Sequence, residues 1–507
     1  MAPFLDIARF LSVSFVAPRS PRHYSSHQQQ RDDVLLNAAP IQSHDTSPLS
    51  AATTSSCGRS SLQQDVIDFA ESRHTSSHTS PKTSLSDLAK LLGADPTDLL
   101  YLSVNDDGER GAYVSRSVKA GDVILRIPLS SCITDAAPPS WFADSEEESD
   151  WAARLAASML DIRLHGTSAY PASVGQGLSL WLSLLPNEKL LRASLPVHWS
   201  EETIASAKCT ALEVAADSAY FARAGGIADI VSQLQETHYL AGVFETEDLE
   251  AMAHDALDLV QTRSCQVDSA DGVQWGPPLH VIAPIFDFIN HGSSSHNGGC
   301  DGFSCANAKY RLERGGIGGE AMLVVRATRT IESCEEVLMD YGVHASPAWR
   351  CLNDYGFVPS YDKDDEGDTV ADEAVAEVFI AGSRYEVGPS TVPVEMVEAA
   401  VIAIAEERRA ATSDQSTSNV FEYSDFEPDA SLLTPDVAFP IAKRLSEVAF
   451  QLILEPGVQK EEEYDDETLS VEDVLGAKLA ARLRWSQFGV LLSCAAALRE
   501  YASEGFE

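Results

Sequence analysis

Ile331-Glu332-Ser333-Cys334-Glu335-Glu336-Val337-Leu338-Met339-Asp340-Tyr341-Gly342 sets a three-residue apolar run between a pair of carboxylates and an Asp-Tyr-Gly ending. Val337 to Met339 reads as a short strand, because apolar residues bounded by polar ones fit a buried pleated surface, and Tyr341 stands at its end. Upstream, Met322 to Ala327 reads as another strand. The residues before it, Gly316-Ile317-Gly318-Gly319-Glu320-Ala321, satisfy GxGxxA. A dinucleotide loop, however, follows a strand and opens a helix whose N-terminus meets the pyrophosphate. Here the loop precedes a strand, so it reads as a glycine-rich hairpin turn.

Further out, Ala283-Pro284-Ile285-Phe286-Asp287-Phe288-Ile289-Asn290-His291 continues the run His280 to Ala283, with Pro284 to Asn290 as one short helical turn or loop. Ala112 to Val118 and Val123 to Ile127 read as two adjacent antiparallel strands around the turn Lys119-Ala120-Gly121-Asp122, with Pro128 closing the second. A short amphipathic helix over Asp87 to Leu92 opens the folded part. Trp151 to Leu164, Glu201 to Phe221 and Glu247 to Thr262 carry apolar residues at helical spacing, which places a helical block between two β units. Beyond Pro359 come two acidic runs, at 362–368 and 461–467, read as solvated loops. Amphipathic helices over Val394 to Arg409, Ala438 to Leu454 and Leu475 to Tyr501 lie around them.

The composition limits what such a chain does. Of 507 residues, 44% are hydrophobic and 22% charged, which excludes wholesale disorder and disulfide scaffolds. The longest apolar runs, Val281 to Ile289 and Gly489 to Leu498, fall short of the ~18 to 20 residues of a spanning helix. Thirty-six Lys and Arg against 77 Asp and Glu leave a formal charge of −41, which repels phosphate backbones and anionic lipid. Neither nucleic acid nor a membrane is expected as a partner. Nine scattered cysteines without a CxxC pair fit reduced thiols. His296, Cys300 and Cys305 are soft donors, but their spacing is irregular and lacks a fourth ligand, so no metal is expected. There is no GxxxxGK[ST], HExxH or GxSxG.

Residues 1–80 are rich in Ser, Thr, His and Gln, lack Lys, and read as disordered. Their first 31 residues hold Arg9, Arg19, Arg22 and Arg31 against Asp6 alone, the composition of an organelle presequence. Ser12-Val13-Ser14-Phe15-Val16-Ala17-Pro18 is similar to a plastid cleavage site. The expected location is a plastid or other organelle if this segment is a presequence, and the cytoplasm if it is a plain tail.

The ordered set of segments resembles the SET-domain methyltransferases. These are Asp107-Gly108-Glu109-Arg110-Gly111-Ala112-Tyr113-Val114 with Val118 to Ile124, then the Asn290-His291 segment, then Glu335-Glu336 through Asp340-Tyr341-Gly342, and last Asp354-Tyr355-Gly356-Phe357-Val358. The subgroup they resemble is that of the Rubisco large-subunit lysine methyltransferase, which includes an actin-histidine enzyme. Leu184-Leu185-Pro186 and Leu195-Pro196 are similar to a stretch of its insertion. The resemblance implies an α+β fold: a SET β-fold over residues 95–345 with a helical insertion at about 140–262, then an all-α substrate-binding domain over 376–507. It implies a monomer that transfers methyl groups from S-adenosylmethionine to a lysine of a non-histone protein. The alternatives are histidine as acceptor, or a silent SET protein acting as a binding module.

By the same resemblance Tyr341 is the catalytic residue, and Gly108, Glu109, Arg110, Asn290 and His291 lie at the cofactor. Arg263, Asp287 and Tyr310 lie at the substrate. Cys334 stands where the family has Gly, Gly292 where it has Ser, and Ser346-Pro347 where it has Ser-Asn. The spacing from Tyr341 to Tyr355 is longer than usual. Chemistry agrees with a phenol here: a lysine of pKa ~10.4 must lose its proton before it attacks, in a site that excludes water and aligns it. A tyrosine aligns it without adding charge, and its ring face attracts cations. Taken alone, Asn290 and His291 could instead satisfy backbone groups in a buried turn, Tyr341 could be a core tyrosine, and Arg263 could face a helix dipole.

Overall fold

The computed structural model describes residues 83–104, 110–142, 150–236, 244–267, 279–292, 306–314, 319–341, 347–359, 374–380, 382–412, 433–454 and 471–504. The segment read as a presequence, Gly108, Glu109, His296, Cys300 and Cys305 lie outside the described residues. Among those described, no group of His, Cys, Asp or Glu could hold a metal, and no helix is long and apolar enough to cross a membrane.

β1 (Thr83–Ser84) and α1 (Ser86–Leu92) lead to β2 (Leu100–Val104), which pairs antiparallel with β1 and with β3 (Arg110–Val114). α1 buries Leu88, Ala89 and Leu92 and ends on Gly93 in the left-handed conformation. β4 (Val123–Pro128) does not pair with β3, against the expectation of adjacent strands. The turn at 119–122 closes locally, but Val118 and Gly121 donate outward to the carbonyls of Ile331 and Ala327. The chain is thereby handed to another sheet, in which β4 pairs with a later strand.

After β5 (Ile133–Thr134) come six helices: α2 (Trp151–His165), α3 (Ala172–Ser183), α4 (Glu188–Ser194), α5 (Glu201–Ser206), α6 (Thr210–Glu236) and α7 (Thr246–Arg263). The periodic segment Glu201 to Phe221 is thus two helices, broken where Lys208 takes φ 52°. β6 (Cys265–Val267) and β7 (Leu279–Ile282) follow, and β7 pairs antiparallel with both β5 and β6. The whole helical insertion therefore leaves and re-enters the β-fold through one small sheet.

The central sheet has the order β4-β10-β9-β11-β8, built from β8 (Asn290–His291), β9 (Ala308–Arg314), β10 (Ala321–Ala327) and β11 (Leu338–Met339). β9 and β10 are antiparallel in continuous register from Ala308↔Ala327 to Arg314↔Ala321, as a glycine-rich hairpin requires. β11 lies parallel to both β8 and β9. Strands and helices close over one core that includes Ile124, Ile127, Leu155, Met159, Trp181, Ile285, Val325 and Val337. Each such large side chain contributes about 1.5 to 3 kcal/mol on burial.

α8 (Ala348–Tyr355) precedes a C-terminal region that is helical apart from an opening hairpin, β12 (Ala376–Ile380) with β13 (Ser383–Val387). The all-α reading misses this hairpin, although Ala376, Val378 and Ile380 alternate as a half-buried strand should. α9 (Val394–Thr412), α10 (Pro435–Leu454) and α11 (Val471–Glu504) complete the chain. α11 is not a detached element. Its Leu479, Ala480 and Leu483 share a core with Ala207, Cys209 and Leu212 of the insertion and with Ala348 and Leu352 of α8.

Candidate active site

Asn290-His291 meets the acidic strand because β8 and β11 pair, Leu338 opposite Asn290 and Met339 opposite His291. β3 joins from the other side: Val337 N–H donates to the Ala112 carbonyl at 2.8 Å, and Tyr113 forms a bridge with Glu336. Backbone hydrogen bonds thus bring together three segments far apart in sequence. Asn307, fully buried, pins the same strand, donating to the Glu336 carbonyl at 2.7 Å and accepting from Leu338 N–H at 2.8 Å.

The Asn290 amide donates to the Arg110 carbonyl at 3.0 Å and to the Glu336 carboxylate at 2.8 Å. That carboxylate also accepts from the Tyr113 hydroxyl at 3.2 Å. Gly111 makes room for this pair: a Cβ there would lie 2.7 Å from Glu336 Cδ and 2.8 Å from Asn290 Nδ2. The cradle is therefore filled by the chain's own side chains.

Tyr341 leaves β11 with its hydroxyl donating to the Ile289 carbonyl at 2.7 Å. Burial pushes this phenol well above its ordinary range, so it stays protonated through neutral pH. Around it stand aromatic faces: Tyr355 with its ring centre at 5.0 Å and His291 at 5.4 Å, while Phe357 lies 6.1 Å from His291. The Tyr355 phenol is pushed up to about 12, again by burial.

Beside this cluster Asp287, whose side chain is closed from solvent, accepts from Trp181 Nε1 at 3.1 Å and from Arg263 at 3.0 Å. Arg263 also donates to the Asp287 carbonyl at 3.0 Å. Burial raises the Asp287 carboxyl, opposed chiefly by Arg263. The Arg110 guanidinium lies 5.0 Å over the Phe288 ring, held below its ordinary range by burial and then by Arg263. Ile285 enters this turn with φ 74°, ψ −49°, a strained conformation for a β-branched residue.

Arg110, Arg263, Asp287, Asn290, His291 and Tyr341 thus converge. Tyr310 stands one layer away: its hydroxyl donates to the Gln266 carbonyl at 3.0 Å, and its ring meets Phe286 edge-on at 5.0 Å. Sequence reasoning passed over Trp181, Glu336 and Asn307 as site residues. Glu336 lay in plain view in the Glu-Glu pair. Trp181 and Asn307 carry no local signal, because their partners lie 106 and 29 residues away.

The family model of the SET domain matches residues 109–342. Among solved structures the chain is similar to the SET domain of LSMT bound to lysine and AdoHcy, at 14% identity and TM-score 0.46, covering 83% of this chain and 92% of that one. It is also similar to Rubisco LSMT bound to sinefungin and monomethyllysine, at 12% identity and TM-score 0.41, covering 88% and 93%. No curated protein matches the chain significantly. The matched span opens just before β3 and closes just after Tyr341, so residues 109–342, which hold the segments that meet around Glu336, match the SET domain.

Proposed function

We propose that the chain is a protein-lysine N-methyltransferase that uses S-adenosylmethionine, with Tyr341 as the catalytic residue. The observation that carries this is the Tyr341 phenol, kept protonated, anchored on Ile289 and faced by His291 and Tyr355, with the nearby carboxylates Asp287 and Glu336 each hydrogen-bonded. Such a site attracts cations through ring faces, with these two carboxylates already engaged.

The residues present fit the cofactor. Asn290, His291 and the backbone about Arg110 would hold it, and the buried Arg263 Nε, which has no hydrogen-bond partner, leaves one donor for what binds there. When bound, S-adenosylmethionine supplies an electrophilic methyl group. The chain's own residues do the rest. The Tyr341 hydroxyl donates its hydrogen bond to the Ile289 carbonyl, so its lone pairs are left to orient an incoming amine. Because burial raises this phenol, it is a poor base near neutral pH, and the amine must shed its proton toward solvent before it is enclosed. A lysine of pKa ~10.4 is roughly 0.04% neutral at pH 7, a cost of about 4 to 5 kcal/mol that desolvation in an apolar channel reduces. Substrate contacts are assigned to Arg263, Asp287 and Tyr310, and docking of the protein substrate to residues 376–507.

The test is incubation of the purified chain with labelled S-adenosylmethionine and cell lysate, with mass spectrometry of the labelled residue. Methyl-lysine is expected. Methyl-histidine would move the acceptor assignment, and absence of label despite cofactor binding would make the chain a binding module.

A further inference from the structure

Behind the aromatic cluster a buried polar chain crosses the insertion. Asp258, 1% exposed, accepts from Arg223 at 2.6 Å and is bonded to His198 Nε2 at 2.8 Å. The second arm of Arg223 donates to Gln261 Oε1. This bond fixes which way the Gln261 amide points, so its Nε2 faces outward and donates to the Asn353 carbonyl at 2.6 Å.

Asn353 lies in the last turn of α8, where carbonyls have no partner within the helix. The Leu352 carbonyl is taken by Gly356 N–H at 3.0 Å, and the Asn353 carbonyl by Gln261. Two residues on is Tyr355, the ring nearest Tyr341. The same last turn of α7 carries Arg263, about 200° around the helix from Gln261, which grips Asp287. One helical turn therefore holds both flanks of the Tyr341 site, and Arg223 and Asp258 hold that turn.

We infer that Gln261, oriented by the Arg223–Asp258–His198 network, is a positioning residue that sets the place of Tyr355 against Tyr341. This rests on the proposed methyltransferase site but can fail apart from it. A polar chain of this kind, in which Asp258, Arg223 and Gln261 are each bonded at both ends, fixes one geometry where an apolar contact would allow several. A displacement of about 1 Å at a reacting centre can cost on the order of 10²-fold in rate.

The experiment is fluorine NMR of the full chain labelled with 3-fluorotyrosine, with the Tyr355 signal assigned by its loss in Tyr355→Phe. Gln261→Glu keeps an acceptor for Arg223 but removes the donor to Asn353, and Gln261→Leu removes both. The Tyr355 signal is expected to shift or broaden in both variants. Methyl transfer is expected to fall about tenfold or more, with cofactor affinity unchanged. An unmoved Tyr355 signal in Gln261→Glu overturns the inference. If Gln261→Leu fails to fold, Gln261→Glu decides, since its pairing with Arg223 persists. If the wild type transfers no methyl group, the proposed activity falls, and the fluorine signal still decides the positioning.

Discussion

Asn290 and Glu336 are bonded at 2.8 Å across the space that Gly111 leaves by having no side chain. Asn290 lies on β8 and Glu336 two residues before β11, and Glu336 also holds Tyr113. Placing a methyl group at 111 forces this pair apart, because the neighbours on both sides are fixed by backbone bonds. Gly111→Ala should lower stability by about 1 to 3 kcal/mol, the cost of a half-buried polar pair left unmatched. It should also weaken binding of S-adenosylmethionine. Denaturant titration and calorimetry on one preparation check both.

Tyr341→Phe should lose about 1 kcal/mol with the bond to Ile289, while turnover falls on the order of 10²-fold or more. Cofactor and acceptor affinity should change little, because the phenol acts on the transition state. Turnover and thermal midpoint measured together decide it. A stable variant with full turnover would return Tyr341 to the core.

Trp181→Phe gives a pH-dependent loss. Burial raises Asp287 in the folded chain, so its contribution to stability is present below the ordinary carboxylate range and declines as pH rises through the elevated value. The Trp181 N–H favours the ionised form and offsets part of that decline. Removing it should therefore cost an additional ~1.5 to 3 kcal/mol at pH 7, and much less near pH 4. The difference in thermal midpoint between wild type and variant across this range is the measurement.

Cys334, exposed and at φ 68°, occupies a turn position that favours glycine. A non-glycine residue in that region costs roughly 1 to 2 kcal/mol, and glycine returns about 0.5 to 1 through the entropy of the unfolded chain. Cys334→Gly should therefore raise stability by about 0.5 to 1 kcal/mol, read from the urea midpoint.

Deleting residues 471–507 should lower the thermal midpoint of the remaining chain and expose Leu212, Ala348 and Leu352, which α11 covers. Cofactor binding should weaken with it. Differential scanning of the truncated chain tests this, and an unchanged midpoint would mean that the shared core contributes nothing.

The short motifs were legible as an ordered set that resembles a known family, since taken alone Asn290-His291 reads as a buried turn and Tyr341 as a core tyrosine. The partners of the strands were not. Alternation in Val123 to Ile127 identifies a strand but is the same whether it pairs with β3 or with β10, and hydrogen bonds from Val118 and Gly121 decide for β10. Lys208 gave no sign of breaking a helix, since lysine is a good helix former. The break becomes intelligible once Glu377 is seen accepting from Ala211 N–H at the start of α6, an acid delivered from a hairpin 166 residues later. Gln261 and Trp181 likewise acquire meaning only through distant partners.

The single sheet through which the helical insertion departs and returns bears on how the chain can vary. Entry at β5 and exit at β6 are both clamped to β7, so the span between them closes on itself whatever its length. Closing a longer loop costs only about 0.6 kcal/mol per doubling. Helices far from the site can therefore be extended, trimmed or exchanged without disturbing the strand register around Glu336. At the site, Trp181, Gln261 and Arg263 lack that freedom because they reach out of the insertion, and Ala207, Cys209 and Leu212 lack it through the core they share with α8 and α11. A grafted insertion that keeps both sets in place should leave the site intact, and one that keeps only its hydrophobic pattern should not.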